Sequence, residues 1–179
     1  MISVVSGTNR PGSNTRRVAE LAVEQLERAG AEAELLDLAN LPVELFDGAS
    51  YADKPTAFEP FQAAILAAHG VVTVIPEYNG SFPGAMKYFI DMLRFPESLY
   101  EKPAAFVGLS AGPWGAVRGV EQLEMVYQYR HAHLFGRRVF VPNVSRAIDD
   151  RGRFADEVLG RRFDETLASF VEFCRKLRH

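Results

Sequence analysis

Five short apolar runs, at residues 2–6, 33–38, 71–75, 104–109 and 139–141, constrain this chain more than any other feature. Between them lie segments of helical period rather than tight two-residue turns. Strands separated by helix-length crossovers must pair in parallel, and such strands are covered on both faces, which is why they read as near-continuous apolar runs. With right-handed crossovers winding onto both faces, the pattern predicts a doubly wound α/β fold, its five-stranded parallel sheet ordered 2-1-3-4-5.

The intervening helices carry their own signals. Residues 15–29 place Val18, Leu21, Ala22, Val23 and Leu26 mainly on one face, and Gly30 stops them. Further helices are expected at 58–68, from Pro83 as first helical residue to about Arg94, at 116–133 and at 156–177. Residues 40–56, with Pro42, Gly48 and Pro55, read as a turn-rich surface path. No repeat or linker interrupts the series, so residues 1–179 are expected to form one domain.

Composition excludes several classes. A chain 47% hydrophobic and 24% charged, with net charge −3, is neither disordered nor a strongly basic nucleic-acid binder. The single cysteine, Cys174, cannot close an internal disulfide, and no spaced Cys/His set suggests a metal. No apolar run has membrane-spanning length and the first residues lack a basic leader, so a cytoplasmic location without membrane or nucleic-acid partners is expected.

In a doubly wound sheet, ligands bind beyond the carboxyl ends of the strands, beside the switch between strands one and three. Three loops there, 7–14, 76–82 and 110–115, are rich in Gly, Ser, Thr and Asn. The first joins a strand directly to a helix start, where unpaired amides and the positive dipole end favour an anion. Thr8, Ser13 and Thr15 bring hydroxyls, Arg10 a forked cation, and Asn14 a further polar group. A simpler reading is an ordinary capped helix with Ser13 or Asn14 as N-cap. Neither a Gly-Lys-Ser/Thr phosphate loop nor a G-x-G-x-x-G dinucleotide fingerprint occurs here.

The second loop reads Pro76-Glu77-Tyr78-Asn79-Gly80-Ser81-Phe82-Pro83-Gly84-Ala85-Met86-Lys87-Tyr88-Phe89-Ile90-Asp91. It resembles the P-E-Y-N-x-S-x-P-G-x-L-K-N-x-I-D stretch of the NADPH-dependent FMN reductase family, flavodoxin-like quinone reductases and azoreductases, departing at Met86 and Tyr88. Gly7, Thr8, Arg10 and Ser13 resemble the family's first loop, with Thr15 where Asn is commonest. The third loop, including Ser110, Gly112 and Gly115, is similar less closely. The resemblance spans residues 1–134.

The resemblance implies a flavodoxin-like fold and FMN as cofactor, with Pro76, Glu77, Tyr78, Asn79 and Gly80 around the isoalloxazine ring and loop amides at its N1–C2=O edge. It implies NADPH or NADH as electron donor and a quinone-like small-molecule acceptor. Hydride would pass to flavin N5 and then to an acceptor in the same place, giving ping-pong kinetics. No protein acid or base is demanded, so no catalytic side chain is assigned. A homodimer or dimer of dimers is also implied, with the helices at 82–95 and 116–133 as contact surfaces. The rival from another class is a flavodoxin-type electron carrier, which would carry a strongly acidic surface and a T-G-x-T loop. A phosphorylated receiver domain would need acids after strands one and three and a Lys after strand five, and Gly7-Thr8, Pro76-Glu77 and Pro142-Asn143 stand there instead.

Other groups have plainer expectations. Phe82, Met86, Phe89, Ile90 and Leu93 recur at helical spacing and are assigned to the core. Glu77 is expected to close its loop through hydrogen bonds to backbone. Lys87 and Asp91, four apart, are expected to pair on a helix surface for about 0.3–0.5 kcal/mol. His131 and His133, two apart on an expected helix, would point different ways and share no metal. Arg137-Arg138 and Arg161-Arg162 read as solvated faces, Cys174 as a packed thiol, and Trp114 equally as packed inward or lining the substrate face.

Overall fold

In β3 (Val71–Pro76) and β4 (Pro103–Leu109) every residue is buried, as strands covered on both faces must be. The computed structural model describes residues 1–149 and 152–177. Beside β3 lie β1 (Ile2–Ser6) and then β2 (Ala33–Asp37), and beyond β4 lies β5 (His133–Val141). All neighbours are parallel and the order is β2-β1-β3-β4-β5, as expected.

Alternate residues of each strand feed two separate cores. Val4, Val72, Val74, Ala105 and Val107 pack with α1 (Asn14–Arg28), through Val18, Ala22 and Leu26. Phe163, Leu167 and Phe170 of the last helix, Glu157–Lys176, join the same face. Val5, Val71, Ile75, Ala104 and Phe106 face the other way. They meet Ile65 of α2 (Glu59–Ala67), Met86, Phe89 and Ile90 of α3 (Gly84–Met92), and Val120 and Leu123 of α4 (Val117–Tyr129). Leu93 joins this core, and Phe82 is half-buried against it. A short α5 (Val144–Ala147) precedes the last helix, α6.

Several boundaries differ from expectation. Pro83 is the N-cap of α3 rather than its first residue, and the helix closes at Met92, where Leu93 turns extended with ψ 143°. Helix α4 ends at Tyr129, four residues early. His131 takes φ 58°, and the His131 and Ala132 amides bond the Gln128 and Tyr127 carbonyls, a left-handed helix stop built without glycine. His131 and His133 therefore lie in a turn and a strand rather than on a helix. Strand β5 begins at His133, well before the expected Val139, and a bulge shifts its register between the partners of Ala104 and Phe106. As the sheet's edge it is half exposed, so Gly136, Arg137 and Arg138 break the apolar run that would announce it.

Residues 38–58 form a succession of 3₁₀ turns, with Phe46 stacked on Tyr88 at 4.9 Å. Two buried cations close helix ends. The Lys102 ammonium donates to the Ile65, Leu66 and Ala68 carbonyls at the end of α2, and burial lowers its pKa to about 8. The Arg130 guanidinium donates to the Ile90 carbonyl in the last turn of α3 at 3.0 Å and to the Arg94 carbonyl just beyond it at 2.6 Å. Lys87 and Asp91 pair at 2.7 Å, and Cys174 is buried, both as expected. Among the described residues no helix is long and apolar enough to cross a membrane.

Candidate functional site

The parallel order brings the ends of β1, β3 and β4 side by side, and direct hydrogen bonds then tie their loops together. From the first loop, the Gly7 amide donates to the Val74 carbonyl at 2.8 Å, and Thr8 Oγ1 meets Tyr78 Oη at 2.8 Å. From the second, the Glu77 amide donates to the Leu109 carbonyl at 3.0 Å. Within the third, Ser110 Oγ donates to the Gly112 carbonyl and accepts from the Gly115 amide, both at 2.8 Å. The Asn143 and Val144 amides donate to the Gly112 and Ser110 carbonyls, fastening this loop to the segment after β5.

The residues singled out from sequence thus assemble at one edge, in different situations. Thr8 is fully buried and its hydroxyl is taken up by Tyr78 and the Arg10 amide, so it braces two loops. Ser13 is the N-cap of α1, accepting from the Arg16 amide at 3.2 Å. Asn14 Oδ1 accepts from Arg17 at 3.4 Å, and Thr15 is buried. The Asn14 and Thr15 amides lie ahead of the first intrahelical bond. Arg10 is exposed, and its guanidinium has no hydrogen bond or ion pair among the described residues.

The second loop is a miniature hairpin. Tyr78 and Ser81 exchange backbone bonds of 2.9 and 3.1 Å around Asn79 at φ 53° and Gly80 at φ 75°, so both central residues are left-handed. An Asn-Gly pair is the sequence signal for this two-residue turn, because Gly carries no penalty there and Asn little. Pro76 is buried and Asn79 exposed at the tip. Glu77 does not close the loop through its side chain. Its amide makes the bond to Leu109, and carboxylate Oε2 is buried with no partner in the protein. Trp114 is 73% exposed, so of the two equal readings the inward-packed one fails.

Three residues of α4 lie against the second loop and are not among the candidates read from the sequence. Gln122 accepts from Ser81 Oγ at 2.5 Å and donates to the Gly80 carbonyl at 3.4 Å. Gly119 lies against the Ser81–Phe82 backbone, where a Cβ would meet Phe82 N at 3.1 Å. Arg118 Nη1 stands 4.0 Å from the place of a Cβ on Gly80. No periodic or spacing rule points to them; only the direct passage from the third loop into α4 could have done so.

The model of the family described as NADPH-dependent FMN reductase matches residues 1–145. The chain belongs to the NADPH-dependent FMN reductase family. It is 32% identical over 178 residues to an NAD(P)H-dependent FMN reductase of Pseudomonas aeruginosa, covering 97% of this chain and 95% of that one. With a 2-hydroxy-1,4-benzoquinone reductase of a Burkholderia species it shares 29% identity, covering 87% and 86% of the two chains. Its fold is that of a flavoenzyme NAD(P)H:(acceptor) oxidoreductase from Paracoccus denitrificans, at a TM-score of 0.83, 23% identity and coverage of 98% and 97%. As a member of this reductase family the protein is an FMN-dependent NAD(P)H oxidoreductase, and the electron-carrier alternative gives way.

The donor set suits FMN. A phosphomonoester needs amides and a cation at one end, which the start of α1 and Arg10 provide. A flat ring with a polar edge needs backbone donors, an acceptor for its N–H, and room. The second loop leaves the Asn79 and Gly80 amides unbonded among the described residues, Glu77 Oε2 is a buried acceptor without a partner, and nothing stands within 4 Å of a Cβ placed on Gly112. A separate cavity of ≈ 590 Å³ between α1 and α6 mixes Arg17, Arg28, Glu20 and Glu24, and none of the three loops lines it.

Proposed function

We propose that residues 1–179 act as one FMN-binding domain that uses NADPH or NADH to reduce quinone-like small molecules. The observation that carries this reading is the joining of the three loops at the carboxyl edge, through Thr8–Tyr78 and Glu77–Leu109. Arg10, Ser13, Asn14 and Thr15 hold the FMN phosphate at the start of α1. Pro76–Gly80 follows one side of the ring, and Ser110, Gly112 and Gly115 come close to it on the other. When bound, FMN accepts two electrons from the nicotinamide and delivers them to the second substrate.

The chain's part is placement. Thr8 and Tyr78 keep the phosphate loop and the ring loop in fixed relation, and Tyr78 edges the ring, worth about 0.5–1.5 kcal/mol beyond burial. The Asn79 and Gly80 amides, which make no hydrogen bond among the described residues, face the ring edge where negative charge accumulates on reduction, which favours the reduced form without reorganisation. Donor and acceptor use the same open face, so initial-rate lines at varied acceptor should be parallel. Intersecting lines would remove the shared site.

The deciding experiment is a visible spectrum of the FMN-loaded protein, followed anaerobically by NADPH and then by a quinone. Bleaching by NADPH and recovery with quinone are expected; failure to bind FMN would end the reading. Tyr78→Phe removes one inter-loop hydrogen bond, worth about 1 kcal/mol. FMN should then bind roughly fivefold more weakly by fluorescence titration, and unchanged affinity would show that the bond does not organise the site.

We also propose a homodimer, working in the cytoplasm. Its contact surface is the exposed apolar set formed by Phe95, stacked on Tyr129 at 6.3 Å, and Met125 of α4. Light scattering should give twice the 19.9 kDa chain mass, and a monomer would remove the proposal.

A further inference from the structure

Placement of FMN leaves one cation at the site without a task. Arg118 lies in the first turn of α4 with its head over the Asn79–Gly80 turn, Nη1 4.0 Å from the place of a Gly80 Cβ. Its side chain is exposed and forms no hydrogen bond or ion pair among the described residues. Three other arginines are engaged. Arg138 pairs with Glu124 at 3.3 Å, Arg130 donates to two carbonyls, and Arg16 meets Glu20 at 2.9 Å and Asp37 at 3.2 Å. Arg118 is therefore not serving the fold.

Its position is nevertheless fixed. The next residue, Gly119, is packed on the backbone of Ser81 and Phe82, and Gln122, one turn further, bonds Gly80 and Ser81. The Val117 amide donates to the Trp114 carbonyl at 3.3 Å, so the exposed Trp114 leads directly into the same turn. An unpaired guanidinium carried on a fixed stretch of backbone thus stands beside the ring loop. The chemistry it selects is a phosphate, which accepts its forked donors and its charge together. The phosphate of FMN is provided for on the first loop by Arg10. A quinone carries no phosphate, whereas a nicotinamide dinucleotide always does.

We propose that Arg118 binds a phosphate group of the nicotinamide dinucleotide donor and sets the affinity for it. This rests on the flavin reductase reading above. Two phosphates could be involved, the pyrophosphate common to NADH and NADPH and the 2′-phosphate of NADPH alone. Arg118 takes no part in electron transfer and acts as a binding residue.

The test compares FMN-loaded wild type with Arg118→Ala, Arg118→Lys and, as control, Lys176→Ala at the opposite edge of the molecule. Trp114 is the chain's one tryptophan, so NADP⁺ binding can be followed directly by its fluorescence. In Arg118→Ala, the Kd for NADP⁺ and the KM for NADPH should rise roughly tenfold, the loss of one charge-assisted contact. The turnover number at saturating donor should stay within about twofold, with affinity less sensitive to salt. Arg118→Lys should recover part of the affinity, and Lys176→Ala should change nothing. An equal loss for NADH and NADPH assigns the pyrophosphate; a loss confined to NADPH assigns the 2′-phosphate. Unchanged Kd and KM in Arg118→Ala, with flavin still bleached by NADPH, would overturn the proposal alone. A loss matched by Lys176→Ala, or accompanied by a changed mass in light scattering, would overturn it too. If wild-type flavin is not bleached by NADPH, it is the reductase reading that fails.

Discussion

Gly115→Ala is expected to lower stability by about 2–4 kcal/mol and to weaken FMN binding at least roughly tenfold. Gly115 has φ +60°, and a Cβ there would lie 2.8 Å from Phe140 Cβ, 3.0 Å from Val141 N and 3.1 Å from Phe140 C. The conformation alone does not account for the effect, because Ala116, the next residue, already sits at φ 67° with its side chain buried. A left-handed alanine costs about 1 kcal/mol. The larger part is the contact with strand β5, whose backbone cannot move without breaking its ladder to β4, and overpacking of this kind costs about 1–3 kcal/mol. Relief would displace the Gly115 amide from Ser110 Oγ, and with it the hydroxyl that holds the Gly112 carbonyl. Stability and site geometry therefore fail together. Urea unfolding gives the first quantity, provided its slope is unchanged, and FMN fluorescence on the folded variant gives the second. A stability loss below about 1 kcal/mol with normal FMN affinity would show that the third loop adapts freely.

The contrast between Gly115 and Arg118 shows what the chain discloses before it is folded. Sheet order and the positions of three loops follow from apolar runs such as Val71–Ile75, because burial on both faces leaves a continuous record. The helix start and the family resemblance together singled out thirteen residues, and all of them lie on those loops, at the last residue of β3 or at the start of α1. What failed to show was whatever depends on partial exposure or on distance in sequence. The first half of β5 is an edge, so its polar residues imitate a loop. The end of α4 is set by a left-handed His131, where a glycine would have been read at once. Thr8 is a brace because Tyr78, seventy residues away, arrives opposite it, and Arg118 faces Gly80 only because α4 packs against the ring loop. Contacts of that kind are created by folding, and no local pattern encodes them.

Lys102→Met tests the other edge of the sheet, and its signature is a pH dependence. Lys102 is 9% exposed, with its three donors spent on carbonyls at the end of α2. Removing the ammonium leaves buried acceptors without partners, at about 1–3 kcal/mol each, while relieving the desolvation of a charge. Near pH 7 the net expectation is a loss of about 2–4 kcal/mol, since methionine fills the volume but donates nothing. Above neutrality the two proteins should diverge further. Burial lowers the folded-state pKa of Lys102 from 10.5 to about 8, so between these values the unfolded chain holds a proton that the folded one has released. Stability then rises with pH for the wild type relative to Lys102→Met, by at most about 1.4 kcal/mol per unit. Below about pH 8 the lysine is charged in both states and the difference should be flat. Urea midpoints for both proteins from pH 6 to about 10.5 would measure it, with contributions of shared groups such as Tyr127 cancelling in the comparison. A difference that stays flat through the whole range would mean that the three carbonyls fully offset the desolvation, and that the helix end holds an ammonium as readily as water does.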